Sequence, residues 1–399
     1  MVLIVFVFFH GFYNSFFIFQ ILVDMKVSFV IFSLLFVFAL CSEEGGIPVS
    51  PLPRFTCNPY EVEPDEPAPT NVNQLAPHNI DVIMSMGDSM TAAFAATAGK
   101  LLSTPLIPRE DRYLSYTAGG GSMQYTVNNF LKLYNKNILG YSSGQTLPID
   151  GLEIFGHHID PQLKEIVGLN AGISGAKVQD IPQEIDYLVS QLQTTYADTI
   201  DFENSWKMAT ILIGANNLCV ACHNNTADSP ETYGQLLNSS IAQLEASIPR
   251  VRVNILPMFN ITQVYYWSRT NTYCTRIWDL FEECPCLTKD STEQDLQTVN
   301  DYAVEYRKQI DNIAAYWQSK NSSTFTVSVQ PITESLKIIN GALTSDFDCF
   351  HPSELAHAWL GSVIWNSIWL PADQKPTNAT ELMINGLEFV CPDRHTYMQ

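Results

Sequence analysis

Positive charge is scarce in this chain. Its 399 residues hold 21 Lys and Arg against 41 Asp and Glu, a formal net charge of -20. A surface of that sign repels phosphate backbones and anionic membranes at long range, and no run of Lys and Arg offsets it, so nucleic-acid binding is excluded as a function class. Long apolar runs are missing beyond residue 41, which leaves no later segment suited to cross a bilayer as a helix. Gly119-Gly120-Gly121 lacks the Lys and Thr that would complete a phosphate-binding loop. His157-His158 has no carboxylate or Cys at metal-ligand spacing and reads as a polar loop. No metal or other cofactor is expected, and no internal repeat is visible.

What is there begins with targeting sequence. Residues 1–41 read as an N-terminal extension plus signal peptide. Residues 1–24 are apolar and aromatic-rich; Met25-Lys26 and an apolar stretch to Leu40 follow, with small residues Ala39 and Cys41 at the -3 and -1 positions of a cleavage site. A start at Met25 would make a conventional signal peptide, and an uncleaved signal anchor is the alternative. Of nine Cys, cleavage after Cys41 leaves Cys57, Cys219, Cys222, Cys274, Cys284, Cys286, Cys349 and Cys391. An even number in an exported chain predicts disulfides, with the pairing left open. Glycosylation sequons begin at Asn224, Asn238, Asn260, Asn321 and Asn378. The expected location is extracellular.

Residues 42–78 read as an irregular leader rich in Pro, Glu and Asn, and residues 79–399 as one domain whose C-terminal segment is tied by disulfides. Short apolar runs at 80–86, 165–169, 208–213, 251–256 and 325–329 predict five buried strands. Between them lie amphipathic stripes. Asp180 and Pro182 open one with Ile181, Ile185, Leu188 and Leu192 in line; Ser229-Pro230-Glu231 opens another with Leu237, Ile241, Leu244 and Ile248. Leu296, Val299, Ala303, Tyr306, Ile310 and Ile313 make the third. The alternation predicts the α/β class: a three-layer α/β/α sandwich around a mostly parallel five-stranded sheet, with its active site at the carboxyl ends of the strands.

Four motifs fall at such strand ends. Met86-Gly87-Asp88-Ser89-Met90 follows the first strand and precedes an alanine-rich helical pattern, Ala92, Ala93, Ala95 and Ala96. A Ser on that turn presents its hydroxyl at the strand end and its N–H near a helix N-terminus, although Gly-Asp-Ser is also an ordinary turn and cap. Asp348-Cys349-Phe350-His351, just before Pro352 and Ser353 begin the last helix, supplies a base and a carboxylate to fix its tautomer. Asp346 is the rival carboxylate. Asn170 to Gly175 follows the second run and Gly214-Ala215-Asn216-Asn217 the third. A glycine N–H and an Asn amide there suit an oxyanion, though each sequence is also a common turn.

Together the four blocks resemble those of the GDSL/SGNH hydrolase superfamily. The resemblance implies the fold of that family, with Ser89 as nucleophile, Asp348 and His351 completing a triad, and Ser89, Gly175 and Asn216 forming the oxyanion hole. The chain is similar above all to the phospholipase B1 branch, through Trp206-Lys207, Ile213 to Cys222, Glu283 to Cys286, Val329-Gln330-Pro331 and the Asp348 block. It departs where Asn217 replaces an Asp, and where Gly119-Gly120-Gly121-Ser122 replaces a Gly-Gly-Asp loop. One repeat unit and no C-terminal anchor are expected, whereas the membrane-bound relatives carry several repeats and an anchor.

The resemblance implies a phospholipase B or lysophospholipase type of esterase that works through an acyl-serine, touches lipid surfaces transiently and needs no stable protein partner. Alternatives are an esterase or lipase on other esters, or an inactive secreted binding protein. Tyr265, Tyr266, Trp267, Tyr273, Trp278 and Phe281 form either a disulfide-tied mini-core or an apolar wall for an acyl chain. Cys219-X-X-Cys222 and Cys284-Pro285-Cys286 read as structural disulfide cysteines rather than redox or metal motifs.

Overall fold

Four parallel strands form the sheet in chain order: β1 Val82–Gly87, β2 Lys207–Leu212, β3 Val251–Ile255 and β4 Phe325–Val329. The computed structural model describes residues 46–62, 66–100, 108–148, 161–281 and 283–399. The expectations for residues 1–41 and for His157-His158 lie outside them. Almost every strand residue is buried, as a parallel sheet covered on both faces demands. Register is regular: Gly87 pairs with Leu212, and Ile211 with Ile255.

Eleven α-helices are found among the described residues. They are α1 Ser89–Ala92, α2 Val127–Tyr134, α3 Pro161–Val167, α4 Ile181–Gln193, α5 Ala215–Leu218, α6 Pro230–Ser247, α7 Thr262–Ser268, α8 Thr272–Phe281, α9 Glu293–Ser319, α10 Glu354–Ile368 and α11 Ala379–Asn385. The apolar stripes read from the sequence are the buried faces of α4, α6 and α9. Tyr233 of α6 and Tyr306 of α9 stack with centroids 3.9 Å apart, and the Tyr233 hydroxyl donates to the Ile213 carbonyl at 3.1 Å. That contact fixes the end of β2. Helix α10 is buried nearly all round, including Trp359 and Trp365. The three-layer α/β/α architecture is as expected.

The sheet has four strands, not five. Residues 165–167 of the expected second strand, 165–169, belong to α3, which is followed by Gly168 with φ +62°. Only a single bridge follows, from Asn170 to Ser85, with another from Leu139 to Val82. The helix after Ser89 is also shorter than its alanines suggest. It stops at Ala92 because Ala93 and Ala95 turn to φ +57° and +55°. Ala93 and Ala96 instead pack on Leu114, so tertiary contacts override helix propensity.

All eight expected cysteines are paired: Cys57–Cys391, Cys219–Cys284, Cys222–Cys286 and Cys274–Cys349. Among the described residues before β1 the only helical elements are two short 3-10 turns. Phe55 stacks on Phe130 at 4.5 Å, and the Cys57–Cys391 bridge ties this segment to the far end of the chain. No helix of the described residues is long and apolar enough to cross a membrane.

Candidate active site

Strand β1 ends at Gly87, whose φ is +147° and where an added Cβ would collide with the Leu212 carbonyl, so no side chain fits. The backbone then turns sharply, and Asp88 caps α1 by accepting from the Met90 N–H at 3.0 Å. Ser89 is thereby held at the strand's carboxyl end, 7% exposed. Its Oγ lies 2.8 Å from His351 Nε2, and His351 Nδ1 lies 2.7 Å from Asp348 Oδ2.

The loop carrying Asp348 and His351 is built locally. Asp348 Oδ1 accepts the backbone N–H groups of Phe350 and His351 at 2.8 and 3.0 Å. Asp348 is fully buried, whereas its rival Asp346 is exposed. An acceptor at Oδ2 makes Nδ1 the protonated nitrogen and leaves Nε2 free to accept from Ser89. Trp278 Nε1 donates to the Asp348 carbonyl at 2.9 Å, and Cys274–Cys349 bonds α8 to the same loop. Trp278 and Cys274 are therefore core, while Tyr266 and Leu280 remain exposed.

Burial alone would lower the pKa of His351. The Asp348 carboxylate and its hydrogen bond, with Glu283 and Asp88 behind them, outweigh burial and the net shift is upward from 6.5. Asp88 is itself wholly buried. Desolvation drives its carboxyl up to about 7, against the N–H groups of Met90 and Ala215 and the attraction of His351.

The two other motifs converge here. The Ile173 N–H donates to the Gly87 carbonyl at 2.9 Å, which sets the 170–175 loop beside the Ser89 turn. Gly175 is exposed with φ +87°, and an added Cβ would meet nothing within 4 Å, so conformation alone calls for glycine. Asn216, on α5 at the end of β2, donates one amide hydrogen to the Ala176 carbonyl at 2.8 Å. An amide carries a second donor. Asn217 is a buried brace: its Oδ1 accepts from the Val178 N–H, and its Nδ2 donates to Gln179 and Asp228. An amide does there what an acid could not, since it donates toward a carboxylate. The N–H groups of Gly119, Gly120 and Gly121 are all taken by carbonyls of Ser115, Ser142 and Tyr113, so that loop offers no phosphate nest.

Sequence reasoning missed the supports. Arg112, fully buried, pairs with Glu110 at 2.7 Å and donates to the carbonyls of Asn170 and Gly172 at 2.8 Å each. Ser174 Oγ donates to the other Glu110 oxygen at 2.7 Å. Glu184 accepts the Gly87 N–H at 2.7 Å, and burial holds its carboxyl well above the usual range. One signal was available: Glu184 sits four residues before Leu188, on the apolar face of α4.

With this arrangement in view, comparison with known proteins is decisive about family. Residues 83–364 match the family described as GDSL-like lipase/acylhydrolase. The chain belongs to that family. Among curated relatives it is similar to "Phospholipase B1, membrane-associated" of Mus musculus, 28% identical over 349 residues, and of Homo sapiens, 26% identical over 333. These alignments cover 85% and 81% of this chain but 22% and 21% of the relatives, so it spans about a fifth of their length. The likeness to the phospholipase B1 branch is thus borne out. Two solved structures also align: an acetyl xylan esterase from Geobacillus stearothermophilus (TM-score 0.32, 12% identity) and an extracellular lipase from Streptomyces rimosus (TM-score 0.31, 12% identity). They match over 73% and 69% of this GDSL-family chain, and over 96% and 94% of their own.

Proposed function

We propose that this chain is a secreted serine esterase that hydrolyses the acyl ester bonds of glycerophospholipids, in the manner named by its phospholipase B1 relatives. The observation that carries the reading is the unbroken hydrogen-bond chain from Ser89 through His351 to Asp348. His351 takes the Ser89 proton as Oγ attacks the ester carbonyl. Asp348 holds the tautomer and offsets the imidazolium charge. The Ser89 and Gly175 N–H groups and the Asn216 amide receive the oxyanion. The tetrahedral species collapses to an acyl-serine as His351 returns the proton to the leaving alcohol. Water, deprotonated by His351, then releases the fatty acid and restores Ser89.

Two expected outcomes follow from these roles. Asn216→Ala should lower kcat by roughly 100- to 1000-fold with KM little changed, because the amide acts on developing charge. Equal kcat in steady-state assays of parent and variant would remove Asn216 from the oxyanion hole. The second concerns pH. Neutral His351 is the base, and its pKa is raised above 6.5. Activity is therefore lost early on acidification, and the acid limb of kcat/KM should have its midpoint above 6.5. A midpoint at or below that value would contradict the electrostatics.

Substrate class is tested by fatty-acid and lysolipid release from phosphatidylcholine, set against release from triglyceride and acetyl esters. Faster turnover of the latter two would reassign the enzyme to other esters. Secretion draws support from the four disulfides and from sequons at Asn224 and Asn321, both exposed. Recovery of glycosylated protein from the culture medium of a secreting cell is the expected result.

A further inference from the structure

Glu283 is an acidic residue that the triad does not use. One of its carboxylate oxygens, one of Asp348 and a ring nitrogen of His351 all lie within 4.8 Å of one another. We infer that Glu283 is a third acidic member of this site, a positioning residue that holds positive charge on His351 while the ester bond is broken. The inference rests on the triad reading above.

The placement of Glu283 is built by covalent bonds. The next residue, Cys284, is bonded to Cys219, the residue just after α5, and α5 carries Asn216. Two residues further, Cys286 is bonded to Cys222, and its N–H donates to the Cys219 carbonyl at 2.9 Å. The segment bearing Glu283 is therefore strapped to the turn that bears the oxyanion amide. Glu283 is exposed overall, yet its carboxyl end faces the Asp348–His351 pair.

A cation is not what the three groups are arranged to hold. His351 Nδ1 is engaged by Asp348 and Nε2 by Ser89, which leaves no ring lone pair for a metal. The imidazole itself is the positive charge that the two carboxylates can share. The charged groups bearing on it come from three elements: Asp348 on its own loop, Asp88 on the β1–α1 turn, and Glu283. His357 of α10 also faces it, but burial drives that ring down to about 3 and keeps it neutral. Burial, with the Asp348 charge, pushes the Glu283 carboxyl up to about 7, while His351 pulls it down. Glu283 and His351 thus influence each other's protonation: an ionised Glu283 makes the imidazolium easier to form, as the attack on the ester requires.

The test is the pH profile of kcat/KM on a short-chain 4-nitrophenyl ester, which avoids lipid-surface effects. Glu283→Gln should move the acid limb to lower pH by roughly half to one unit, from one charge removed at about 5 Å, and lower the plateau several-fold. Glu283→Lys changes the charge by two and should move the limb about twice as far; Glu283→Asp should restore most of the parent profile. A purely structural role would change none of these midpoints. Identical midpoints in parent, Glu283→Gln and Glu283→Lys, with all four disulfides formed, would overturn the inference. Ser89→Ala in the parent separates the two failures. If it stays active, the triad reading is lost; if it is dead while the midpoints coincide, only the role of Glu283 is lost.

Discussion

Ser89→Ala is expected to lower ester hydrolysis by at least about 10⁴-fold while leaving the fold intact. The side chain is 7% exposed, and its removal deletes a hydroxyl whose partner is the imidazole alone, so no buried carboxylate loses a hydrogen bond. His351→Ala should lose a comparable factor, and the double variant little more, because members of one proton chain fail as a unit. A fluorophosphonate should label the parent and neither variant. Retained labelling of Ser89→Ala would assign the nucleophile elsewhere, and an unlabelled parent with intact disulfides would favour a binding protein.

Arg112→Met is expected to cost about 3–5 kcal/mol of stability, the range for breaking a buried ion pair from one side. The effect should exceed that of any surface change because Arg112 serves four partners at once, the Thr146 hydroxyl among them. It neutralises Glu110, and it satisfies the carbonyls of Asn170 and Gly172, both buried. Those carbonyls belong to the loop that continues to Gly175. Activity should therefore fall alongside stability, and Arg112→Lys should rescue little, because one ammonium cannot reproduce the planar fork. Combining Glu110→Gln with Arg112→Met should recover part of the loss by removing the stranded charge. Urea unfolding followed by tryptophan fluorescence measures both. A loss under 1 kcal/mol for Arg112→Met would show that the pair is not a keystone of this loop.

Much of this was written locally in the sequence. The stripes of α4, α6 and α9 are long enough for a 3.6-residue period to be unmistakable, and all their apolar positions proved buried. β1, β2, β3 and β4 lie within a residue or two of the expected runs. The run at 165–169 failed because five residues with apolar character suit a buried helix end as well as a strand, and Gly168 turns the chain before a ladder can form. Ser89 was legible from its motif at the end of β1, and Asp348 and His351 from a short motif in the loop before α10. Arg112 and Glu283 were not, and Glu184 left only the trace of an acid on an apolar helix face. Their work depends on which distant backbone or ring they meet, and no spacing along the chain encodes that.

The Ser89 and His351 side chains that meet in the site are 262 positions apart. A ribosome reaches the hydroxyl first and the imidazole 262 residues later. Under the proposed mechanism, a product that stops short of His351 lacks the base and has no hydrolytic centre. The long reach between the two side chains acts as a safety catch, released only once synthesis has passed the imidazole.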